Sequence, residues 1–216
     1  MRAFARWIVV AAAVGMLAAC GQKGGAGGSA GATADVMTLG SPDAKVTVRE
    51  YASTTCPHCA RFNEDVFPAF KAKYIDTGKV RYEFHEYLTP PAQVAAAGFL
   101  LARCAGQDKY FSVVDALFHS QNEMFTTGDV RGVLFRVGRS AGMTDEQITT
   151  CIQDEKALEA LNKRVTKAVQ DDKVTGTPDF WVNGKSLAGQ VLAGQTYQGG
   201  EITMAQLSAA VDPLLK

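Results

Sequence analysis

Cys56-Pro57-His58-Cys59 sits between two runs of different periodicity. Before it, Val46-Thr47-Val48-Arg49-Glu50-Tyr51 alternates apolar with polar residues and is rich in β-branched side chains, the pattern of a strand. After it, Phe62, Val66, Phe67, Phe70 and Tyr74 recur mostly at steps of three and four, which predicts a helix over Ala60–Tyr74. Pro57 suits the first helical turn, where its missing N–H costs nothing, and Pro68 should kink the helix further on. Two thiols three positions apart at such a junction can hold a metal, brace a fold or trade electrons. Four-coordinate zinc needs two more ligands, usually a second C-x-x-C or a close histidine pair. The only histidines are His58, His85 and His119, none at ligand spacing to another, so no metal is expected and the redox reading is preferred.

Further along, Val80 to Tyr87 alternates again and predicts a second strand. Pro90-Pro91 then opens a long helical region. Ala92 to Cys104 is apolar nearly all round but too short to cross a bilayer, which predicts a buried helix. More helices are expected over Tyr110–His119 and Val130–Ala141, from a Thr144 cap to about Gln153, and over Glu155–Lys173 with Leu158, Leu161, Val165 and Val169 on one face. The pattern reverts at Gly176-Thr177-Pro178, a turn. A strand over Asp179–Val182, an Asn183-Gly184 hairpin turn and a returning strand from Lys185 follow, and a helix from Met204 to Leu215 closes the chain. Strands and helices in this order predict an α/β sheet layered with helices. Met124, Phe125 and Phe180 could rim a substrate site, but residues of these types are more often core.

The N-terminal end has a different character. Arg2 and Arg6 precede an uncharged stretch from Trp7 to Ala19, the length of a signal-peptide core, which ends in Leu17-Ala18-Ala19-Cys20. Small residues before a cysteine resemble the bacterial lipobox, in which the peptide is cut before Cys20 and that cysteine is lipidated; the alternative is an ordinary secretory signal. Residues 21–35 are rich in Gly, Ala and Ser and read as a flexible tether. The chain has 22 basic and 22 acidic residues, and loss of residues 1–19 removes two arginines and no acid. A slightly acidic domain without a basic run excludes a nucleic-acid partner. Export also sorts the five cysteines. Cys20 goes to lipid, Cys56 and Cys59 form the close pair, and Cys104 and Cys151 remain to form a structural bridge or stay as two buried thiols.

Three features in sequence resemble the DsbA family of thiol–disulfide oxidoreductases: Cys56-Pro57-His58-Cys59 between strand and helix, the helical insertion, and Thr177-Pro178 before an aromatic strand and hairpin. The resemblance covers about Val36 to Lys216 and implies an α/β thioredoxin-like fold with an inserted all-helical domain. The expected divisions are a lipoprotein signal over 1–19, lipidated Cys20 and linker over 20–35, a first thioredoxin-like part over 36–90, a helical insertion over 91–173 and a second thioredoxin-like part over 174–216. The implied function is dithiol oxidation in exported proteins, with no cofactor beyond the Cys56–Cys59 disulfide. The implied partners are exported chains with free thiols and a DsbB-like, quinone-linked membrane oxidase, with the enzyme a monomer in the periplasm, anchored to the inner or outer membrane. The alternatives are a disulfide reductase or isomerase, or a non-catalytic metal-binding lipoprotein.

The resemblance also implies residue roles. Cys56, at the N-terminus of a helix, is the nucleophile, because unpaired N–H groups and the helix dipole favour a thiolate there. His58 can supply a positive or hydrogen-bonding neighbour, or be a plain surface residue. Pro178 is cis in the family, which would leave flanking backbone free for a substrate strand. Thr177 stands where the archetype has valine, against the dithiol. Glu50 matches an acid beneath the dithiol whose burial would let it pass protons; otherwise it is a partly exposed strand-end acid.

Overall fold

The computed structural model describes residues 35–216. The signal over 1–19, Cys20 and, apart from Asp35, the linker lie outside the described residues. A five-stranded sheet runs in the order β1 (Met37–Leu39), β3 (Val80–Glu86), β2 (Val46–Ala52), β4 (Asp179–Val182) and β5 (Lys185–Ser186). Strands β2 and β3 are parallel and the other pairings are antiparallel. As the central strand, β2 is covered on both faces, and Val46, Val48, Glu50, Tyr51 and Ala52 are all buried. That position puts a carboxyl group into the core at Glu50.

The expected helix over Ala60–Tyr74 is broken into three pieces: α1 (Pro57–Asp65), α2 (Phe67–Phe70) and a π-helical turn over Lys71–Ile75. Pro68 is the cause, since it has no N–H for the Glu64 carbonyl and its ring crowds that turn. Val66 separates α1 from α2, and Phe62 and Phe70 are buried with Phe67 packed against the core. At the far end of the chain, Asn183 and Gly184 take positive φ values of 46° and 76°, turning β4 into β5.

Between β3 and β4 lie six helices: α3 (Ala92–Cys104), α4 (Gln107–His119), α5 (Gln121–Thr127), α6 (Val130–Ser140), α7 (Asp145–Ile152) and α8 (Glu155–Gln170). α3 is the buried spine of this block, with Phe99, Leu101 and Ala102 fully covered. It approaches the loop before the dithiol so closely that a Cβ on Gly98 would lie 2.8 Å from Thr54 Oγ1. α7 opens on a reciprocal cap between Thr144 and Gln147. A buried ion cluster ties the block to the sheet: Glu86 on β3 accepts from Arg103 of α3 at 2.6 Å, Tyr110 of α4 at 3.0 Å and Arg164 of α8 at 2.8 Å. This cluster corrects the expected apolar stripe on α8. Leu161 and Ala168 are buried with Arg164 turned toward Glu86, while Leu158 and Val169 are exposed.

After β5 come a small ribbon, β6 (Val191–Leu192) with β7 (Gln195–Thr196), then α9 (Met204–Val211) and a 3₁₀ turn over Asp212–Leu215. Short β1, α5 and the β6–β7 ribbon were not expected from the sequence.

Candidate active site

Ser53-Thr54-Thr55 carries the chain from the end of β2 to the start of α1 and is buried throughout. Cys56 is the N-cap of α1: its Sγ accepts from the backbone N–H of Cys59 at 3.3 Å, with Pro57 in the first helical position. Both thiols are free and buried, Cys56 at 3% exposure and Cys59 at 0%. The Cys56 thiol also donates to the Thr177 carbonyl at 3.3 Å. The Thr177–Pro178 bond is cis, as is Pro90–Pro91, which the sequence had not suggested.

The two sulfurs are electrostatically unequal. A hydrogen bond from the Cys59 thiol, helped by the Thr177 hydroxyl and the backbone N–H groups of Cys59 and His58, outweighs burial and lowers Cys56 to about 6. Burial, followed by the adjacent Cys56, pushes Cys59 well above the ordinary thiol value. Thr177 Oγ1 is buried and makes no competing hydrogen bond, so its O–H can serve the Cys56 thiolate.

Glu50 is 2% exposed, and burial pushes it up to about 8 against the opposing Tyr82 hydrogen bond, with the Cys56 charge adding to the rise. Tyr82 donates its hydroxyl to Glu50 Oε2. Of the two positions open for this acid, the core position is the one it occupies.

His58 combines the two roles open to it, a surface ring and a hydrogen-bonding neighbour of Cys56. Its ring is half-exposed, with Nδ1 2.9 Å from Glu201 Oε1 and 2.6 Å from Arg61 Nη2. Its contribution to Cys56 comes through its backbone N–H. Beside these residues a groove of about 750 Å³ is lined by His58, Thr177, Pro178, Asp179, Gly199 and Glu201. The backbone around Pro178 is only partly open, since the Pro178 carbonyl accepts from Gly200 N–H at 3.1 Å.

Two residues of the site lie far from the motif in sequence. Gln121, the first residue of α5, is buried and donates from Nε2 to the carbonyls of Thr54 at 2.8 Å and Cys56 at 3.2 Å. Glu201 meets the exposed face of α1. Neither stands in a motif, and a glutamine opening a short polar helix gives no periodic signal. Cys104 and Cys151 are bonded, joining the end of α3 to α7 with Cα atoms 6.0 Å apart. Met124 and Phe180 are core, Phe180 packing on Phe62 at 4.7 Å between ring centroids, while Phe125 is exposed. Among the described residues no group of three or more His, Cys, Asp and Glu side chains is arranged to hold a metal.

The thioredoxin family model matches residues 32–212. A protein of Rickettsia bellii that carries the name of a protein-disulfide oxidoreductase is 36% identical over 149 residues, which are 68% of this chain and 57% of that protein. The chain therefore spans little more than half the length of that relative. Disulfide bond formation protein D of Bacillus subtilis is 29% identical over 163 residues, covering 68% of this chain and 67% of the other. The crystal structure of Wolbachia pipientis α-DsbA1 superposes with a TM-score of 0.71 at 28% identity, over 83% of this chain and 90% of that one.

Proposed function

The chain belongs to the DsbA-like branch of the thioredoxin family, and from that premise we propose that it is a thiol:disulfide oxidoreductase acting mainly as a dithiol oxidase on exported proteins. The observation that carries the direction is the inequality of the two sulfurs, Cys56 near 6 and Cys59 far above it. A stabilised thiolate stabilises the reduced pair, so the disulfide is the better oxidant. At pH 7 the ionisation of a group near 6 favours the reduced form by about 1.4 kcal/mol, or about 30 mV for two electrons.

The cycle has two exchanges. A substrate thiolate attacks Cys56 Sγ, the Cys56–Cys59 bond breaks, and Cys59 leaves with the electron pair. Its high proton affinity means that it takes a proton at once, and neutral Glu50 beneath the pair supplies one. A second substrate thiolate then attacks the substrate sulfur of the mixed disulfide. Cys56 leaves as a thiolate, which its low pKa makes easy. Two substrate thiols have become a disulfide, and the enzyme holds the two electrons until a DsbB-like membrane oxidase removes them. His58, Pro57, Thr177 and Pro178 shape the face where the substrate lies. A lipid anchor at Cys20 would hold the domain in the periplasm on a short tether.

The test is trapping. In a Cys59→Ser variant, mixed disulfides between Cys56 and substrate chains accumulate on non-reducing gels. Equal trapping through Cys59 in a Cys56→Ser variant would reverse the assignment of nucleophile. A reduction potential as low as that of a reductase would reverse the direction.

A further inference from the structure

A second cavity, of about 320 Å³, lies on the other side of α1 from the groove, between α1, α2, α4 and the sheet. Its wall is mainly apolar, with aromatic rings from Phe62, Phe67, Phe84 and Phe111, and Lys71, Ser112 and Asp115 also line it. The ring centroids of Phe67 and Tyr82 are 5.0 Å apart, those of Phe62 and Phe67 are 6.1 Å apart, and those of Tyr82 and Phe111 are 6.3 Å apart. The mouth faces solvent, where an Asn63–Asp115 hydrogen bond of 2.7 Å joins α1 to α4. The inner end is Glu50 with Tyr82, each 2% exposed. Glu50 lines the cavity; one of its carboxyl oxygens takes the Tyr82 hydroxyl, and the other, Oε1, has no hydrogen bond among the described residues without being one of the fully buried atoms left unpaired.

We propose that this cavity is a binding site for a small aromatic compound carrying one hydroxyl group, seated with its ring among the phenylalanines and its hydroxyl on Glu50 Oε1. Size allows it, since an apolar cavity of about 150 Å³ already takes benzene. Aromatic walls favour an aromatic occupant through edge-to-face contacts. The Glu50 carboxyl group supplies the inner polar contact that selects a hydroxyl over a plain hydrocarbon, because a hydroxyl entering the cavity keeps a hydrogen bond there. Glu50 is neutral at pH 7 by its raised pKa, so it can accept from or donate to that hydroxyl without burying a charge. An occupant hydrogen-bonded to Glu50 engages the one acid proposed to serve Cys59. On the oxidoreductase reading, therefore, it slows exchange at the dithiol while leaving the equilibrium between Cys56–Cys59 and glutathione unchanged.

The test uses p-cresol on the full chain, with toluene as the probe that lacks the hydroxyl. In NMR titrations p-cresol should give saturable shifts around Phe62, Tyr82 and Val114, half-complete below about 1 mM, and toluene should bind at least about fivefold more weakly. Val114→Phe fills the cavity, and Asn63→Phe, at a half-buried mouth position, closes it with less risk to folding. Each should weaken p-cresol binding about tenfold or more. Linear, unsaturating shifts, equal binding of toluene, or undiminished binding in a folded variant would overturn the site. Exchange with oxidised glutathione should slow severalfold at saturating p-cresol in the native chain; an unchanged rate in protein shown to be occupied would overturn the link to Glu50. Absence of exchange in the native chain without any probe would count against the oxidoreductase reading instead, and the NMR titration would still decide the site.

Discussion

Thr177 keeps a buried hydroxyl with no competing acceptor, one residue before Pro178 and beside the Cys56 sulfur. A hydrogen bond to a charged group contributes about 1.5–3 kcal/mol, against 0.5–1.5 for a neutral one. Replacing the hydroxyl by a methyl of the same shape should therefore cost the thiolate more than the disulfide. Thr177→Val is expected to raise Cys56 by about one pH unit and to make the disulfide a weaker oxidant, as read by thiolate absorbance and by equilibrium with glutathione. An unmoved thiolate titration would mean that Cys59 and the helix terminus alone hold the sulfur down. Glu50 behaves in the opposite sense. Its folded pKa, near 8, lies above the ordinary 4.5, so the folded chain binds more protons than the unfolded chain between those values. Stability should fall as pH rises through that window. Glu50→Gln keeps an oxygen for the Tyr82 hydroxyl and removes the charge, so the variant should gain on the native chain by roughly 2–5 kcal/mol between pH 5 and pH 8.5. Urea unfolding of the oxidised proteins isolates this effect, since Cys56 does not titrate there; parallel pH profiles would show that Glu50 ionises as freely as a surface acid.

At the scale of elements, α3 and α7 are joined by a disulfide whose cysteines are 47 residues apart. Closing a loop of that length stabilises by about 4 kcal/mol in the chain-entropy picture. Replacing both cysteines by serine is expected to lower unfolding stability by roughly 2–4 kcal/mol in urea, and a loss under about 0.5 kcal/mol would show that packing of α3 already fixes the block. The elements also show what was readable in advance. β2 and β3 stood out because alternating runs leave a strong pattern and α3 because it is apolar nearly all round, and the bounds of α3 match the expected Ala92–Cys104. The Asn183-Gly184 turn was legible because few residues other than glycine and asparagine accept those backbone angles. By contrast, β1 and β6 have three and two residues, too few for any period to register. On α8 the periodicity was real, but the partner was misjudged: Glu86 draws Arg164 inward and turns Leu158 and Val169 to solvent. The dithiol was legible as a motif. Gln121 and Glu201 were not, because their roles come from the fold bringing distant residues to the loop before α1 and to α1 itself.

For the whole molecule, the reduced form, in which both thiols are free, differs from the oxidised form in that its Cys56 can ionise. In the reduced form its folded pKa, near 6, lies below that of an unfolded cysteine, so its contribution to stability is complete only above about pH 8.5 and is lost as pH falls through 6. Glu50 destabilises both forms as pH rises, so it largely cancels when one is compared with the other. Cys59 stays protonated through this range because its pKa is raised. The advantage of the reduced over the oxidised form should therefore grow with pH, by roughly 2–3 kcal/mol between pH 5 and pH 8. Paired urea titrations of the two forms at both pH values measure it directly. A difference that stays flat would mean that the folded protein does not favour the Cys56 thiolate, and the fold would then provide no driving force for passing the disulfide on.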